Sequence, residues 1–325
     1  MITLPITDYG LPITGASISD TGNHFYLLYF RRMIDIRPIT TLADMRQAEA
    51  VQRAAWGMDD LEIVGVHVLH ALQHNGSPLL GAFDGAKLVG FCLGVLGMLE
   101  TPDVWGLPAA ARLKMYSVMA GVLPTYQSQH VGYQLKLAQR AVALEMGIAL
   151  ITWTYDPLEA RNAHFNIARL GAVCQHYHEH FHGDLGGINA GLSTDRFEAA
   201  WWVASARVAQ RVDVAQRRHK EARRKDGDSG VDLSGALLVN PAVFNTDGLP
   251  APPAANLPAD ARAVLVEIPA DFQAVKQRDL ALAQQWRRHT RQLFMQLFQD
   301  GFCVTDFVAQ TDADGRRRAF YLLTL

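Results

Sequence analysis

Cysteine is scarce. The 325 residues hold three, Cys92, Cys174 and Cys303, odd in number and far apart. Such spacing builds neither a disulfide framework nor a metal-ligand set, so no metal is expected and a reducing, cytoplasmic setting is. Long apolar runs are missing too. The longest uncharged one, Leu88 to Leu99, is too short for a helix that must cross about 30 Å of hydrocarbon, and no membrane partner is expected. No basic segment followed by a small-residue cleavage site opens the chain, which speaks against a signal peptide. Neither charge sign dominates: 30 Lys and Arg against 32 Asp and Glu leave a net charge of −2. That balance gives no global reason to hold nucleic acid or an anionic surface.

What is present is apolar material, 49% of the chain. It can bury a large core, and the length exceeds the usual single-core range, so two domains or one enlarged domain are expected. Composition suggests four stretches. Residues 1–32 are an extension, either a loosely held arm or an extra strand from Phe25-Tyr-Leu-Leu-Tyr-Phe. Residues 33–212 are the main domain, 213–230 a basic linker and 231–325 a further α/β region.

The chain is organised around Leu113 to Gly147. Leu113-Lys-Met-Tyr-Ser-Val-Met-Ala-Gly-Val is nearly continuously apolar and predicts a central strand covered on both faces. Val131, Leu135, Ala138 and Val142 recur at helical spacing, and Gly147 tolerates the left-handed stop. Between them Gln127-Ser-Gln-His-Val-Gly sets several main-chain N–H groups at a helix N-terminus, with Ser128 the natural cap. These donors, helped by the helix dipole, can hold a diphosphate without lysine or arginine. Lys136 and Arg140 lie off the apolar stripe; a solvated face explains them, as does an acidic neighbour or a nucleotide phosphate.

The turn resembles the acyl-CoA turn of the GNAT acetyltransferase family: Gln or Arg, two residues, Gly, one residue, then Gly or Ala, after Val-x-Pro. Val122, Pro124, Gln127 and Gly132 fit, and His130 stands where the first Gly is usual. Downstream, Trp153-Thr-Tyr-Asp-Pro-Leu, Arg161-Asn-Ala-His-Phe-Asn, Arg169-Leu-Gly-Ala and Asn189-Ala-Gly-Leu-Ser-Thr-Asp-Arg-Phe are similar to an uncharacterised branch of it. The resemblance covers about residues 34–212 and, loosely, the C-terminal third, which it suggests is a degenerate second half. It implies an α/β (α+β) fold with a mixed central sheet flanked by helices. It implies acetyl-CoA or another acyl-CoA as co-substrate and N-acetyl transfer to a small amine; the sequence leaves the oligomeric state open, a homodimer included. Cofactor contacts would fall at Gly121, Val122, Gln127, Ser128, Gln129, His130, Val131, Gly132 and Tyr133, with Asn162 on the pantetheine arm. The tyrosine that commonly protonates the departing thiolate is replaced by Ile167. Tyr116, Tyr155 or water remain as acids, and Glu62 in the acidic loop after the first helix is an acceptor-side candidate. The lost tyrosine also admits a non-catalytic acyl-CoA-binding module.

Elsewhere the pattern predicts a strand at Ile34–Ile39 and a helix from Thr41 to Trp56. A hairpin turning at Asp84-Gly85 and a strand at Leu150–Tyr155 follow. Asp156-Pro-Leu-Glu opens a helix running to Leu170. His176, His178, His180 and His182 would share one strand face, as a metal site or a polar wall. In Thr194-Asp-Arg-Phe the charges either pair structurally or meet substrate. Trp201 to Val208 reads as a strand, and Asp279 to Asp300 as a helix stopped by Gly301. Trp105, in a loop, either lines a pocket or packs.

Overall fold

Thr41 ends an extended segment and its hydroxyl accepts the Asp44 main-chain N–H at 3.1 Å, which starts the first helix. From there the order is β1 (Asp35–Pro38), α1 (Leu42–Trp56), α2 (Val66–His74), β2 (Leu79–Asp84), β3 (Lys87–Met98), α3 (Ala109–Arg112), β4 (Leu113–Val122), α4 (Val131–Glu145) and β5 (Leu150–Tyr155). Next come α5 (Ala160–Ala163), β6 (Val173–His178), β7 (Arg196–Trp202), α6 (Ala206–Lys220) and β8 (Leu237–Leu238). The chain closes with β9 (Val243–Phe244), β10 (Pro250–Ala251), β11 (Ala263–Ile268), α7 (Phe272–Arg278), α8 (Leu280–Gln299), β12 (Cys303–Thr311) and β13 (Arg317–Thr324). The computed structural model describes residues 34–58, 60–99, 106–183, 191–220, 231, 233–254 and 260–325, all within the unit Ile34–Leu325. The expectations for residues 1–32, for Trp105 and for Asn189 fall outside the described residues.

Eleven strands form one mixed sheet in the order β1-β2-β3-β4-β5-β7-β6-β12-β13-β11-β8, with β4/β5 and β11/β8 parallel. The fold is therefore α/β with helices on a mixed sheet. Strands of 231–325 continue the sheet of the preceding segment through β12, whose Val304 pairs with Cys174 of β6. Three apolar clusters hold the layers. Met45, Ala48 and Val51 of α1 pack on Phe83, Phe91 and Leu93. Val131 and Leu135 of α4 pack on Leu80, Ala82, Val89 and Cys92. The largest cluster joins Trp153, Phe197 and Trp201 to Trp286, Phe294 and Tyr321. Fully burying a Val, Leu, Met or Phe side chain of these clusters contributes about 1.5–3 kcal/mol.

Three local expectations are corrected. β4 is not covered on both faces: Met115, Ser117 and Gly121 are buried, while Val118 and Ala120 are exposed. The register explains this. Leu93 pairs with Met119 but Gly94 with Ser117, so Val118 is the extra residue of a β-bulge, which bends the strand and re-aims its groups. The segment after β5 is a single α turn that widens into a π-helix, His164–Arg169, before Gly171 at φ +78°. Chain after Trp202 turns directly into α6, because Ser205 and Trp202 close a turn there.

Candidate functional site

The site begins where β4 and β5 part. The two strands run parallel, yet their ladder holds only Met115–Ile151 and Tyr116–Thr152. Beyond that point the strands fork, and the chain leaving β4 enters the turn before α4. A short 3₁₀ segment, Pro124–Tyr126, is pinned by the Tyr126 hydroxyl donating to Asp84 Oδ2 at 2.7 Å. Gln127 Nε2 donates back to Val122 O at 3.2 Å, and Gln129 Nε2 to Thr125 O at 3.0 Å. These glutamine side chains brace the turn from within. The Gln127 main-chain N–H is also taken, by Pro124 O at 3.2 Å.

What remains is a set of open donors. The main-chain N–H groups of Ser128, Gln129, Val131, Gly132 and Tyr133 have no protein acceptor among the described residues, as expected of a helix N-terminus without a side-chain cap. Ser128 and His130 both hold positive φ, +65° and +63°. Left-handed residues next to right-handed ones gather successive N–H groups into an anion-binding concavity, and strain of this kind collects at ligand clamps. Position 130 therefore holds a left-handed residue, the conformation glycine adopts most readily, and histidine takes it here. His130, not Ser128, is the N-cap residue, and its side chain makes no cap bond. The Ser128 hydroxyl accepts instead from Arg161 Nη2 at 3.2 Å. Arg169 Nη2 lies 3.3 Å from His130 Nδ1, with its guanidinium 4.9 Å from the Tyr133 ring. Two guanidiniums thus flank the open amides.

Lys136 does not face solvent. It is 4% exposed and bridges the fork at the first position past the ladder. Its ammonium donates to Ser117 Oγ of β4 at 2.7 Å and sits 3.9 Å from the Trp153 ring of β5. Gln139 Oε1 accepts a further bond at 3.2 Å. Burial lowers its pKa to about 8. Arg140 is likewise engaged, donating to Val203 O at 2.8 Å.

On the opposite face of the sheet, Glu198 of β7 stands across from Thr154 of β5. Its carboxylate receives Lys114 Nζ at 3.5 Å and lies 3.0 Å from His178 Nε2. Of the four histidines expected on one strand face, the strand carries only His176 and His178. A register shift falls between Cys174 and His176, and His180 turns away at φ +49°. Among the described residues no group of three or more His, Cys, Asp or Glu could hold a metal. The two charges of Thr194-Asp-Arg-Phe separate. Asp195 is fully buried and takes Arg291 through both oxygens, at 2.7 and 2.8 Å, plus the Tyr177 hydroxyl at 2.6 Å. Among the described residues Arg196 has no such partner.

The remaining expected residues fall as follows. Gly121 is buried against Trp56, and a Cβ there would meet Trp56 Cη2 at 2.6 Å, so its role is packing. Val122 packs beside Val131, and Tyr133 is buried with its hydroxyl 3.4 Å from Val212 O. Asn162 is exposed at the start of α5. Tyr155 is 4% exposed, beside Tyr321, with its hydroxyl 3.8 Å from Cys174 Sγ. Burial drives its pKa well above the usual value, so as a general acid it is misplaced. Ile167 is fully buried. Tyr116 is half-buried on the Thr152 side of the fork, and Glu62 lies exposed in the loop after α1. Asp156 caps no helix by a box: it accepts Leu158 N–H at 2.9 Å and pairs with Arg287. Arg161 and Arg169, present in the sequence only as members of longer motifs, carried no expected role because nothing in their spacing says which element they meet.

No family model matches the chain, and no curated protein does. Among solved structures, it is similar to the ribosomal-protein-S18-alanine N-acetyltransferase from Escherichia coli: 15% identity, 54% of this chain and 96% of that one, TM-score 0.41. It is similar to Chaetomium thermophilum Naa20 in complex with a bisubstrate analogue: 16% identity, 59% and 93%, TM-score 0.42. Arabidopsis thaliana NAA60 in complex with acetyl-CoA shows 14% identity, 52% and 99%, TM-score 0.42. Likenesses at that level carry no functional argument, which rests on the turn and the fork.

Proposed function

We propose that this chain is an acyl-CoA-dependent N-acyltransferase, in its simplest form moving acetyl from acetyl-CoA to a small amine. The observation that supports it is the turn after β4: five open main-chain donors and two left-handed residues at the mouth of a forked parallel strand pair. The amides of Ser128, Gln129, Val131, Gly132 and Tyr133 would take the diphosphate, with Arg161 and Arg169 as added cations. The pantetheine arm would enter the fork past Asn162. Acetyl-CoA supplies a thioester whose carbonyl a neutral amine can attack directly. Main-chain donors of β4 near Ala120 to Val122 would polarise that carbonyl, and the fork would align the two reactants. Tyr116 is the acid candidate left beside the fork. Residues 231–325 read as a wall of the same site rather than a second one. No covalent enzyme intermediate is required.

The second reading, a binding module without turnover, draws on Ile167, whose buried apolar side chain replaces the family's usual acid. Thiol release from acetyl-CoA over an amine panel separates the two. Calorimetric binding of acetyl-CoA tests both. A Cβ on Gly132 would meet only Val122 Cγ2, at 3.8 Å, so the fold accepts a side chain there. Gly132→Trp is therefore expected to stay folded and lose at least about tenfold in affinity, 1.4 kcal/mol. Unchanged affinity would count against the turn as the diphosphate site.

A further inference from the structure

Arg196 opens β7 on the same face as Glu198, two residues on, a rise of about 6.6 Å. It is half-buried, and its Nε is enclosed with no hydrogen-bond partner. Among the described residues no ion pair reaches it. The nearby carboxylates are already committed: Asp156 to Arg287 through both oxygens, and Glu159 to Gln273 Nε2 at 2.5 Å. A half-enclosed guanidinium without an anion is costly to keep, since an unmet buried donor costs about 1–3 kcal/mol. Its fork of donors matches one chemistry best, a planar carboxylate held by two parallel bonds. Two residues along the strand the polarity reverses. Glu198, with His178 at 3.0 Å on one oxygen and Lys114 at 3.5 Å on the other, offers an anion and a ring nitrogen on that same face. Tyr116 and His182 stand close enough to Arg196 to feel its charge.

We infer that this face receives the acceptor, and that the acceptor is an amine carrying a carboxylate, a small amino acid, with its carboxylate on Arg196 and its ammonium toward Glu198 and His178. The inference rests on the transferase reading for what happens next: the His178–Glu198 pair takes the ammonium proton, the neutral nitrogen attacks the thioester carbonyl and forms the amide bond, the C–S bond breaks, and the second proton shed by the nitrogen goes to the departing thiolate, which leaves as the thiol.

Binding of the acceptor needs no turnover, so it can be read separately. The full chain is heated with glycine, β-alanine and γ-aminobutyrate, and with ethylamine, propylamine and phosphoethanolamine. The amino acids are expected to raise Tm and the plain amines not to. In Arg196→Gln the rise disappears, while Tm without ligand is unchanged or higher, because an unpaired half-buried cation has been removed. In the coupled thiol-release assay, the ratio of kcat/KM for an amino acid to that for the matching amine falls more than tenfold in Arg196→Gln. Arg196→Lys keeps the charge without the fork and falls between. Equal responses to amines with and without a carboxylate would overturn the proposal. So would preference for phosphoethanolamine, or an unchanged ratio in Arg196→Gln. Failure of acetyl-CoA to bind by calorimetry would remove the transferase reading alone; a carboxylate-dependent Tm rise lost in Arg196→Gln would still stand.

Discussion

Two parts of the molecule treat charge in opposite ways. Around α8 and β13 the buried cations have their anions: Arg287 with Asp156, though its Nε is left without a partner, Arg291 with Asp195 and Glu179, Arg318 with Glu267. Asn240 closes the same pattern, donating to Glu267 O and accepting its N–H. Around the fork the accounts stay open. Among the described residues five amides lack acceptors, Arg196 lacks an anion, and the orphaned Nε2 of Gln139 and Oγ1 of Thr152 lie close by. Natural structures pair almost all their buried polar groups. Satisfied ions tie elements together; unsatisfied donors gathered at a cleft mark where a ligand completes the structure.

The largest test of that contrast is Arg287→Met. It leaves the Asp156 carboxylate buried with little beyond the Leu158 N–H, and a loss of about 3–5 kcal/mol in urea unfolding is expected. Replacing Asp156 by leucine as well should restore much of it, because two apolar groups need no partner. A small effect of the single variant would mean the pairing is ornamental and would blunt the comparison.

Lys136 lies between the two regimes, buried yet held by neutral groups. Its folded pKa, about 8, is below the usual lysine value of 10.5. Between those values the unfolded chain binds a proton that the folded chain has released, so stability rises with pH across that window. At about 1.4 kcal/mol per unit the swing is on the order of 3 kcal/mol. Lys136→Met lacks this titration. The Tm of wild type relative to the variant is expected to climb from pH 8 to pH 10; a flat difference would show that the ammonium is better solvated than its burial indicates.

The smallest effect concerns backbone strain. His130 at φ +63° costs about 1–2 kcal/mol relative to a right-handed residue. Glycine removes that cost but adds about 0.5–1 kcal/mol of unfolded-chain entropy. His130→Gly should therefore gain under about 1 kcal/mol in chemical denaturation and keep acetyl-CoA affinity. A marked loss of affinity would assign the His130 ring and its contact to Arg169 a direct part in binding.

The strand, turn and helix of 113–147 were legible because each rests on near neighbours in sequence: a nearly continuous apolar run, helical spacing, a glycine stop. The hairpin at Asp84-Gly85 and the long helix capped by Asp279 were legible for the same reason. Lys136 was not. It sits one residue past Leu135, off the apolar stripe, and only the double contact of α4 with β4 and β5 encloses it. The histidine row was misread because a register shift, invisible in a lone strand, breaks its period. Tyr155 looked usable because a phenol's type is written in sequence while its enclosure by Phe197 and Tyr321 is not.

By itself the sequence determined the local conformations and the chemical types: a strand, a donor-rich turn and a helix. Tertiary structure alone decided which cations are matched and which wait. Arg196 and Arg287 are the same residue, and only the carboxylate that a distant segment does or does not bring within 3 Å separates a structural tie from a site.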